Sequence, residues 1–156
     1  MDLVVVMTEG ESLTSWLENG LLSREIMLYQ KYRDEFGWSV AFVSYDIHDF
    51  ELADALGFGC IVLRPWRIPR LVRLLTNFVR AFWLRGSIPR NAVVKTKQFW
   101  GAWIGIPLVI LSPRKLVVRS GYDFYDFVVR FGGGRLYRAL ITVIERALLF
   151  FCNSWI

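Results

Sequence analysis

The stretch AVVKTKQFWGAWIGIPLVILSPRKLVVRSGYD, residues 92–123, decides the fold of this chain. It holds two short apolar runs, 92–94 and 116–118, and each run ends in charged and polar residues. The apolar segment between them, 99–111, is compatible with a helix, so the stretch predicts strand, crossover helix and strand. In an open parallel sheet, ligands bind beyond the carboxyl ends of the strands. The sequence therefore places part of any binding site at the polar residues that follow these two strands.

The same alternation of strands and helices runs through the whole chain. Apolar β-rich runs predict the strands, and amphipathic segments bounded by Gly or Pro predict the helices between them. We expect an α/β protein, a doubly wound, mostly parallel Rossmann-like sheet of about six strands with helices on both faces. The segment 11–22 is rich in Gly, Ser and Asn and predicts a structured loop. The predicted strands are 3–7, 38–45, 60–63, 92–96, 115–120 and 148–151.

Length and composition bound the class of protein. With 156 residues, of which 54% are hydrophobic, the chain fits a single domain, 1–156, that buries a substantial core. Aromatic residues make up 16%, so some rings should be exposed at a cleft or an interface. The formal charge is +5, with the basic residues concentrated after Arg64. That half of the chain could meet nucleic acid, anionic lipid or a phosphorylated substrate.

Localisation signals point weakly to the cytosol. Residues 1–7 form a strand rather than a signal peptide, because no basic start and no small-residue cleavage site accompany them. Arginines interrupt the longest apolar candidate, 71–84, so a membrane-spanning helix is not expected. Cys60 and Cys152 lie far apart in apolar runs and are expected to be reduced and buried. We therefore expect a cytoplasmic protein.

The common catalytic and metal-binding motifs are missing from the sequence. It contains no Cys/His cluster at metal spacing, no P-loop and no Gly-x-Ser-x-Gly elbow, so no metal site is predicted. The single histidine, His48, is expected to lie in a solvated loop. Carboxylates near the predicted strand ends could gather in one cleft or simply be solvated, and these are Glu9, Glu11, Asp46 and Asp49.

Two basic groups give the stronger signals, and each leaves an alternative open. Lys95, Lys97 and Arg119 follow adjacent strands and could form a phosphate-binding patch, or they could be solvated or salt-bridged cations. The helix predicted at 70–85 carries arginines along one stripe and aromatic residues near its end. It could cover the sheet with a solvated basic edge, or it could lie at an anionic membrane surface.

Several runs of residues in this chain resemble those of a known family. The runs GESLTSW at 10–16 and GLLSREIMLY at 20–29 resemble the opening of certain family 4 glycosyltransferases of the GT-B fold. The later runs KTKQ at 95–98, GAW at 101–103 and VRSGY at 118–122 resemble that family's strand-end motifs. The resemblance covers essentially the whole chain.

The resemblance implies two Rossmann-like domains that face a cleft, with the acceptor bound by the N-terminal domain and the nucleotide sugar by the C-terminal one. The resemblance implies that this chain is the acceptor-binding half of a retaining, metal-independent hexosyltransferase-type enzyme. It also implies that the donor-binding domain lies outside residues 1–156. We expect the chain to need that domain, in cis or in trans, for activity. No cofactor is implied, since the nucleotide sugar is a substrate.

The implied acceptor is a glycan or a lipid-linked sugar, as in polysaccharide biosynthesis, and the enzyme would be peripheral on the inner face of the cell membrane. A non-catalytic scaffold subunit that docks a catalytic partner remains the alternative, while nucleic acid is not an expected partner. The implied acceptor-site residues are Gly10, Ser12, Trp16, Lys95, Lys97, Gln98, Arg119 and Tyr122, and the membrane-surface residues are Arg70, Arg73, Arg80 and Trp83. Trp16 could instead pack beneath its loop.

Overall fold

The sheet of this protein is parallel throughout. The computed structural model describes residues 2–8, 10–63 and 70–119, together with residues 134, 139, 142, 143, 146, 150, 152, 154 and 155. Five strands have four or five residues each: β1 (Leu3–Val6), β2 (Val40–Ser44), β3 (Gly59–Val62), β4 (Val93–Thr96) and β5 (Lys115–Val118). A two-residue segment, β6 (Ser154–Trp155), pairs in parallel with β5. The order across the sheet is β3-β2-β1-β4-β5-β6.

Helices cover both faces of this sheet, as the alternating pattern predicted. They are α1 (Leu13–Glu18), α2 (Leu22–Phe36), α3 (Asp49–Ala55), α4 (Arg70–Leu84) and α5 (Ala102–Val109), with short 3-10 turns at Arg85–Ser87 and Phe99–Gly101. The first three helices pack on one face, around a core that includes Trp16, Tyr29 and Phe42. Side chains of α4 and α5 pack on the other face against Val94 and Leu116. The doubly wound, Rossmann-like α/β fold is thereby confirmed.

The central strand explains why the first run of the sequence is apolar without alternation. β1 lies between β2 and β4, and side chains leave it in opposite directions. Leu3 and Val5 enter one core, while Val4 and Val6 enter the other. Because each such side chain gains roughly 1.5–3 kcal/mol on full burial, this strand anchors both layers.

Two elements differ from the predictions. Residues 11–22 are not a loop, since they contain α1, whose N-cap Ser12 accepts a hydrogen bond from the Ser15 N–H at 2.9 Å. The Ser15 hydroxyl accepts in return from the Ser12 N–H at 2.8 Å, which forms a capping box that the polar composition concealed. Of the strand predicted at 148–151 only Phe150 lies within the described residues, and it is helical, while a parallel edge pairing lies at Ser154–Trp155.

Candidate functional site

The carboxyl ends of β1 and β4 flank the position at which an open α/β sheet forms its binding crevice. These two strands are neighbours, yet the chain leaves β1 toward α1 on one face of the sheet and leaves β4 toward α5 on the other face. This divergence is the topological switch point of an open α/β sheet, where ligands characteristically bind. Of the residues predicted from strand ends, Gly10 follows β1, Lys97 and Gln98 follow β4, and Arg119 follows the next strand, β5.

The turn after β1 forms one bank of the crevice. The Glu11 N–H donates to the Thr8 carbonyl oxygen at 2.9 Å, which closes a four-residue turn. Gly10 in this turn has φ of 92°, in the left-handed region that favours glycine. A Cβ at Gly10 would meet nothing within 4 Å, so the backbone is open to the surroundings at this predicted site residue.

The amino end of α1 is occupied by the protein's own carboxylate. Asp49, the first residue of α3, is fully buried, at 0% exposure. It accepts hydrogen bonds from the N–H groups of Leu13 and Thr14, both at 2.8 Å, from the Thr14 hydroxyl at 2.7 Å and from the Ser44 hydroxyl. In a dinucleotide-binding Rossmann fold the ligand's pyrophosphate takes this position. Here Asp49 fills it.

Two of the predicted acceptor-site residues take structural positions beside Asp49. Ser12 is buried as the N-cap of α1. Trp16 is buried in the core, where its ring meets that of Phe42 edge to face with centroids 6.5 Å apart. The packing alternative for Trp16 is the one that the structure shows.

Lys97 is tied into the fold by its backbone and by its side chain. Its N–H donates to the Val6 carbonyl oxygen at 2.8 Å, and its Nζ pairs with the Glu25 carboxylate of α2. The same ammonium lies 4.9 Å from the centre of the Trp16 ring. Burial opposes ionisation of Glu25, but hydrogen bonds from Lys97 and Arg24 outweigh it and lower the pKa of this carboxyl. Lys97 is therefore the salt-bridged cation of the predicted patch.

Lys95 and Arg119 supply the positive charge that remains. Lys95 lies with its Nζ 5.6 Å from the centre of the Tyr29 ring, and Arg119 is exposed just beyond β5. Burial lowers the pKa of Lys95, and the neighbouring charges of Arg119 and Lys97 lower it further. Neither Lys95 nor Arg119 forms an ion pair with another described residue. Lys95, Lys97 and Arg119 thus lie near enough for their charges to interact, although Lys95 stands inside β4 rather than beyond its end.

Nothing in the sequence signalled two buried polar atoms near the end of β1 that have no hydrogen-bond partner among the described residues. Thr8 is 9% exposed and its Oγ1 has no hydrogen-bond partner among the described residues. Glu11 accepts from the Gln98 Nε2 at 3.0 Å through Oε1, while its buried Oε2 has no such partner. Burial raises the pKa of Glu11, Lys97 counteracts this and the Glu25 charge adds to it. Buried polar atoms without partners are rare in proteins, so these two call for a polar ligand or water.

The start of α5 closes the far side of the crevice. A Cβ at Gly101 would lie 3.1 Å from the Val6 carbonyl oxygen and 3.2 Å from the Thr96 Cβ. Glycine therefore lets the 3-10 turn pass directly over the ends of β1 and β4. The Arg119 N–H donates to the Thr96 Oγ1 at 3.1 Å, which joins the ends of β4 and β5.

The predicted membrane-surface residues lie on or beside a helix with a large apolar exposed area. Arg70 begins α4, Arg73 and Arg80 are half-buried, and Trp83 is 79% exposed. Further exposed apolar side chains on this helix are Val72, Leu75, Val79 and Phe82. Arg80 and Trp83 line a cavity of about 540 Å³. No helix in the described part of the chain is long and apolar enough to cross a bilayer.

The other candidate residues carry no further chemistry. Tyr122 lies outside the described residues. His48 is exposed in the turn before α3, as predicted. Cys60 and Cys152 form no disulfide and are half-buried rather than buried. Within the described ranges, no three His, Cys, Asp or Glu side chains are placed to hold a metal ion. No protein-family model, curated protein or solved structure matches this chain.

Proposed function

We propose that this chain is the acceptor-binding domain of a retaining GT-B glycosyltransferase, and that the crevice between β1 and β4 holds a phosphorylated sugar acceptor. One observation carries the proposal. Lys95 and Arg119, two cations with no ion-pair partner among the described residues, lie near the carboxyl ends of β4 and β5. The Thr8 hydroxyl and one carboxylate oxygen of Glu11, which follow the neighbouring strand β1, have no hydrogen-bond partner among those residues either. This combination suits a ligand that carries both hydroxyl groups and a phosphate.

The two kinds of group divide the recognition between them. Sugar hydroxyls both donate and accept hydrogen bonds, so the Thr8 Oγ1 and the Glu11 Oε2 can each be satisfied by one. The phosphate of a lipid-linked or phosphorylated acceptor would be held by Lys95 and Arg119 through charge-assisted hydrogen bonds. Lys97 takes a positioning role, because its ammonium is already paired with Glu25.

The buried carboxylate at α1 argues against a dinucleotide-binding role for this sheet. A bound pyrophosphate would have to displace Asp49 from the N–H groups of Leu13 and Thr14. The nucleotide sugar would instead be bound by a second Rossmann-like domain, supplied in cis or in trans. This division agrees with the acceptor-side role that the motif resemblance implies.

A binding experiment tests the site directly. Isothermal titration would compare a hexose 1-phosphate, a sugar on a short polyprenyl diphosphate and the corresponding free hexose. Lys95→Gln and Arg119→Gln are each expected to weaken binding of the phosphorylated ligands by about tenfold, since a hydrogen bond to a charged group contributes roughly 1.5–3 kcal/mol. Thr8→Val should weaken the binding of all three ligands.

The matched control is Lys31→Gln, which removes an exposed cation of α2 that pairs with Glu35 of the same helix. If the Lys95 and Arg119 variants bind the phosphorylated ligands as tightly as the control variant does, the proposed site is wrong. Transfer of a labelled sugar, measured after a donor-binding GT-B domain is added in trans, tests the enzyme assignment. Absence of transfer despite ligand binding would remove that assignment and leave a sugar-binding module.

We also propose that α4 contacts an anionic membrane surface. Its arginines could meet lipid headgroups while Phe82 and Trp83 enter the interface, in the manner of an interfacial helix. Co-sedimentation with anionic vesicles should fall strongly when Arg70, Arg73 and Arg80 are replaced by Glu, and unchanged binding would contradict this role.

The same exposed apolar side chains favour the alternative function, a non-catalytic subunit that docks a catalytic partner through α4. That alternative predicts no affinity for phosphorylated sugars. It also predicts that a partner transferase already acts on its own and gains location or stability, not turnover, from this chain.

A further inference from the structure

A cationic cavity lies at the amino ends of β4 and β5, at the other end of these strands from the candidate site. Its volume is about 570 Å³, and it is bounded by the loops that precede β4 and β5. Among the described residues, three arginines line it, Arg85, Arg90 and Arg114, and no acidic residue does. The four-residue strand β4 separates this cavity from the carboxyl-end crevice by roughly 10 Å or more. The two sites are therefore separate.

Arg114 is a buried cation that has no carboxylate partner in the part of the chain that the structure describes. It is 8% exposed, and its guanidinium is held by backbone oxygens alone. Nε, one N–H of Nη1 and both N–H groups of Nη2 are used, which leaves one N–H of Nη1. The accepting carbonyl oxygens belong to Pro89 at 3.0 Å, Leu108 at 3.2 Å, Arg85 at 2.6 Å and Ile88.

The other two arginines bring their charges to the same cavity. Arg85 donates from Nη1 to the Ile110 carbonyl oxygen at 3.1 Å, and its guanidinium lies 4.1 Å from the centre of the Phe82 ring. Arg90 is exposed and pairs with no described carboxylate. Burial lowers the pKa of Arg114, and the charges of Arg85 and Arg90 lower it further. Three like charges thus face one cavity.

The stretch of sequence that forms this cluster contains no acidic residue. Residues 64–122 contain no Asp or Glu, and both loops of the cavity come from this stretch. Like charges held close together repel, and the repulsion is strongest where burial reduces screening. An anion bound among the three guanidinium groups would remove this repulsion and use the remaining N–H groups.

We propose that the cavity lined by Arg85, Arg90 and Arg114 binds a phosphate group. Planar guanidinium groups hydrogen-bond phosphate oxygens in a bidentate manner, and a volume of about 570 Å³ accommodates a phosphate with part of the molecule that carries it. The phosphate comes either from a soluble phosphorylated compound or from a lipid headgroup. Leu111 on the rim is 85% exposed and would contact the rest of either ligand. The inference stands independently of the transferase assignment.

Two titrations on the full chain test the proposal and separate the two sources. Isothermal titration with inorganic phosphate and pyrophosphate, at ionic strength held constant with chloride, tests the soluble source. Co-sedimentation with phosphatidic acid vesicles, compared with phosphatidylcholine vesicles, tests the lipid source. Arg90→Gln is the main variant, because Arg90 makes no hydrogen bond or ion pair with another described residue and its loss should leave the fold intact.

We expect Arg90→Gln to weaken phosphate or phosphatidic acid binding by about tenfold, the lower range for one charge-assisted hydrogen bond. Arg85→Gln should act in the same direction. Lys115→Gln is the matched control, since it removes an exposed cation at the start of β5 that does not line the cavity. Binding of soluble phosphate that depends on Arg90 supports the soluble source, and Arg90-dependent binding to vesicles alone supports the lipid source. Absence of binding in both titrations, or equal binding by Arg90→Gln and Lys115→Gln, overturns the proposal.

Discussion

Replacing Asp49 by Asn tests the contact that closes the amino end of α1. The Asp49 Oδ2 faces the Leu13 N–H, and Oδ1 faces the Thr14 N–H, each at 2.8 Å. Backbone N–H groups cannot rotate away, so either orientation of an Asn amide sets its NH₂ group against one of these donors. Because Asp49 is fully buried, water cannot replace the lost acceptor.

The expected loss of stability follows from these bonds. Losing one hydrogen bond to a charged acceptor costs roughly 1.5–3 kcal/mol, and the remaining bonds weaken when the acceptor becomes neutral. We expect Asp49→Asn to lower the free energy of unfolding by about 3 kcal/mol, a large share of the 5–15 kcal/mol that is typical of a domain.

Urea unfolding at equilibrium, followed by far-ultraviolet circular dichroism, measures this loss. The matched control is Asp54→Asn, because Asp54 is an exposed carboxylate of the same helix, and its change should stay within about 0.5 kcal/mol. A free energy of unfolding for Asp49→Asn within about 1 kcal/mol of the control would refute the idea that this carboxylate holds α1 in place.

Four further outcomes can be checked. Thr8→Val should leave urea stability unchanged or raise it by up to about 1 kcal/mol, since the hydroxyl has no described partner, and a clear loss would mean that Thr8 Oγ1 is paired. Gly101→Ala should lower the unfolding free energy by about 1–2 kcal/mol in the same assay, because its Cβ would crowd a backbone carbonyl oxygen of the central strand. The folded pKa of Glu25 is lowered, so its pair with Lys97 stabilises the protein above the unfolded pKa of about 4.5. The advantage of the wild type over Glu25→Gln should therefore shrink as the pH falls below that value. Burial, with a smaller effect of a nearby carboxylate charge, raises the pKa of Cys60 to about 12, so iodoacetamide at pH 8 should alkylate it far more slowly in the folded than in the unfolded protein, as followed by mass spectrometry.

Local sequence patterns were sufficient to predict the elements whose position depends on nearby residues alone. The run at β1 has no polar alternation because both of its faces are covered, which is readable from the residues themselves. Gly37 ends α2 with φ of 66°, as its position after an amphipathic run predicted. The predicted loop at 11–22 failed because the helix there is short and is held by Asp49, which lies far along the chain.

The candidate site was only partly predictable for the same reason. Strand-end position alone brought Lys95, Lys97 and Arg119 to one edge of the sheet. It could not show that Lys97 pairs with Glu25 of α2, or that Thr8 and Glu11 keep buried polar atoms with no partner among the described residues. Two of the predicted residues, Ser12 and Trp16, are of the right type for a ligand site, yet the cap and the core use them.

The sequence by itself determined the α/β class, the parallel sheet and the strand ends that carry positive charge, because these depend on hydrophobic periodicity and on residue order along one segment. Only the tertiary structure decided which charges are available to a ligand. A cation is neutralised, or left in a cavity without a counter-ion, by residues that the strand order brings beside it. Lys97 meets Glu25 of α2, whereas Arg85, Arg90 and Arg114 line one cavity with no carboxylate among the described lining residues.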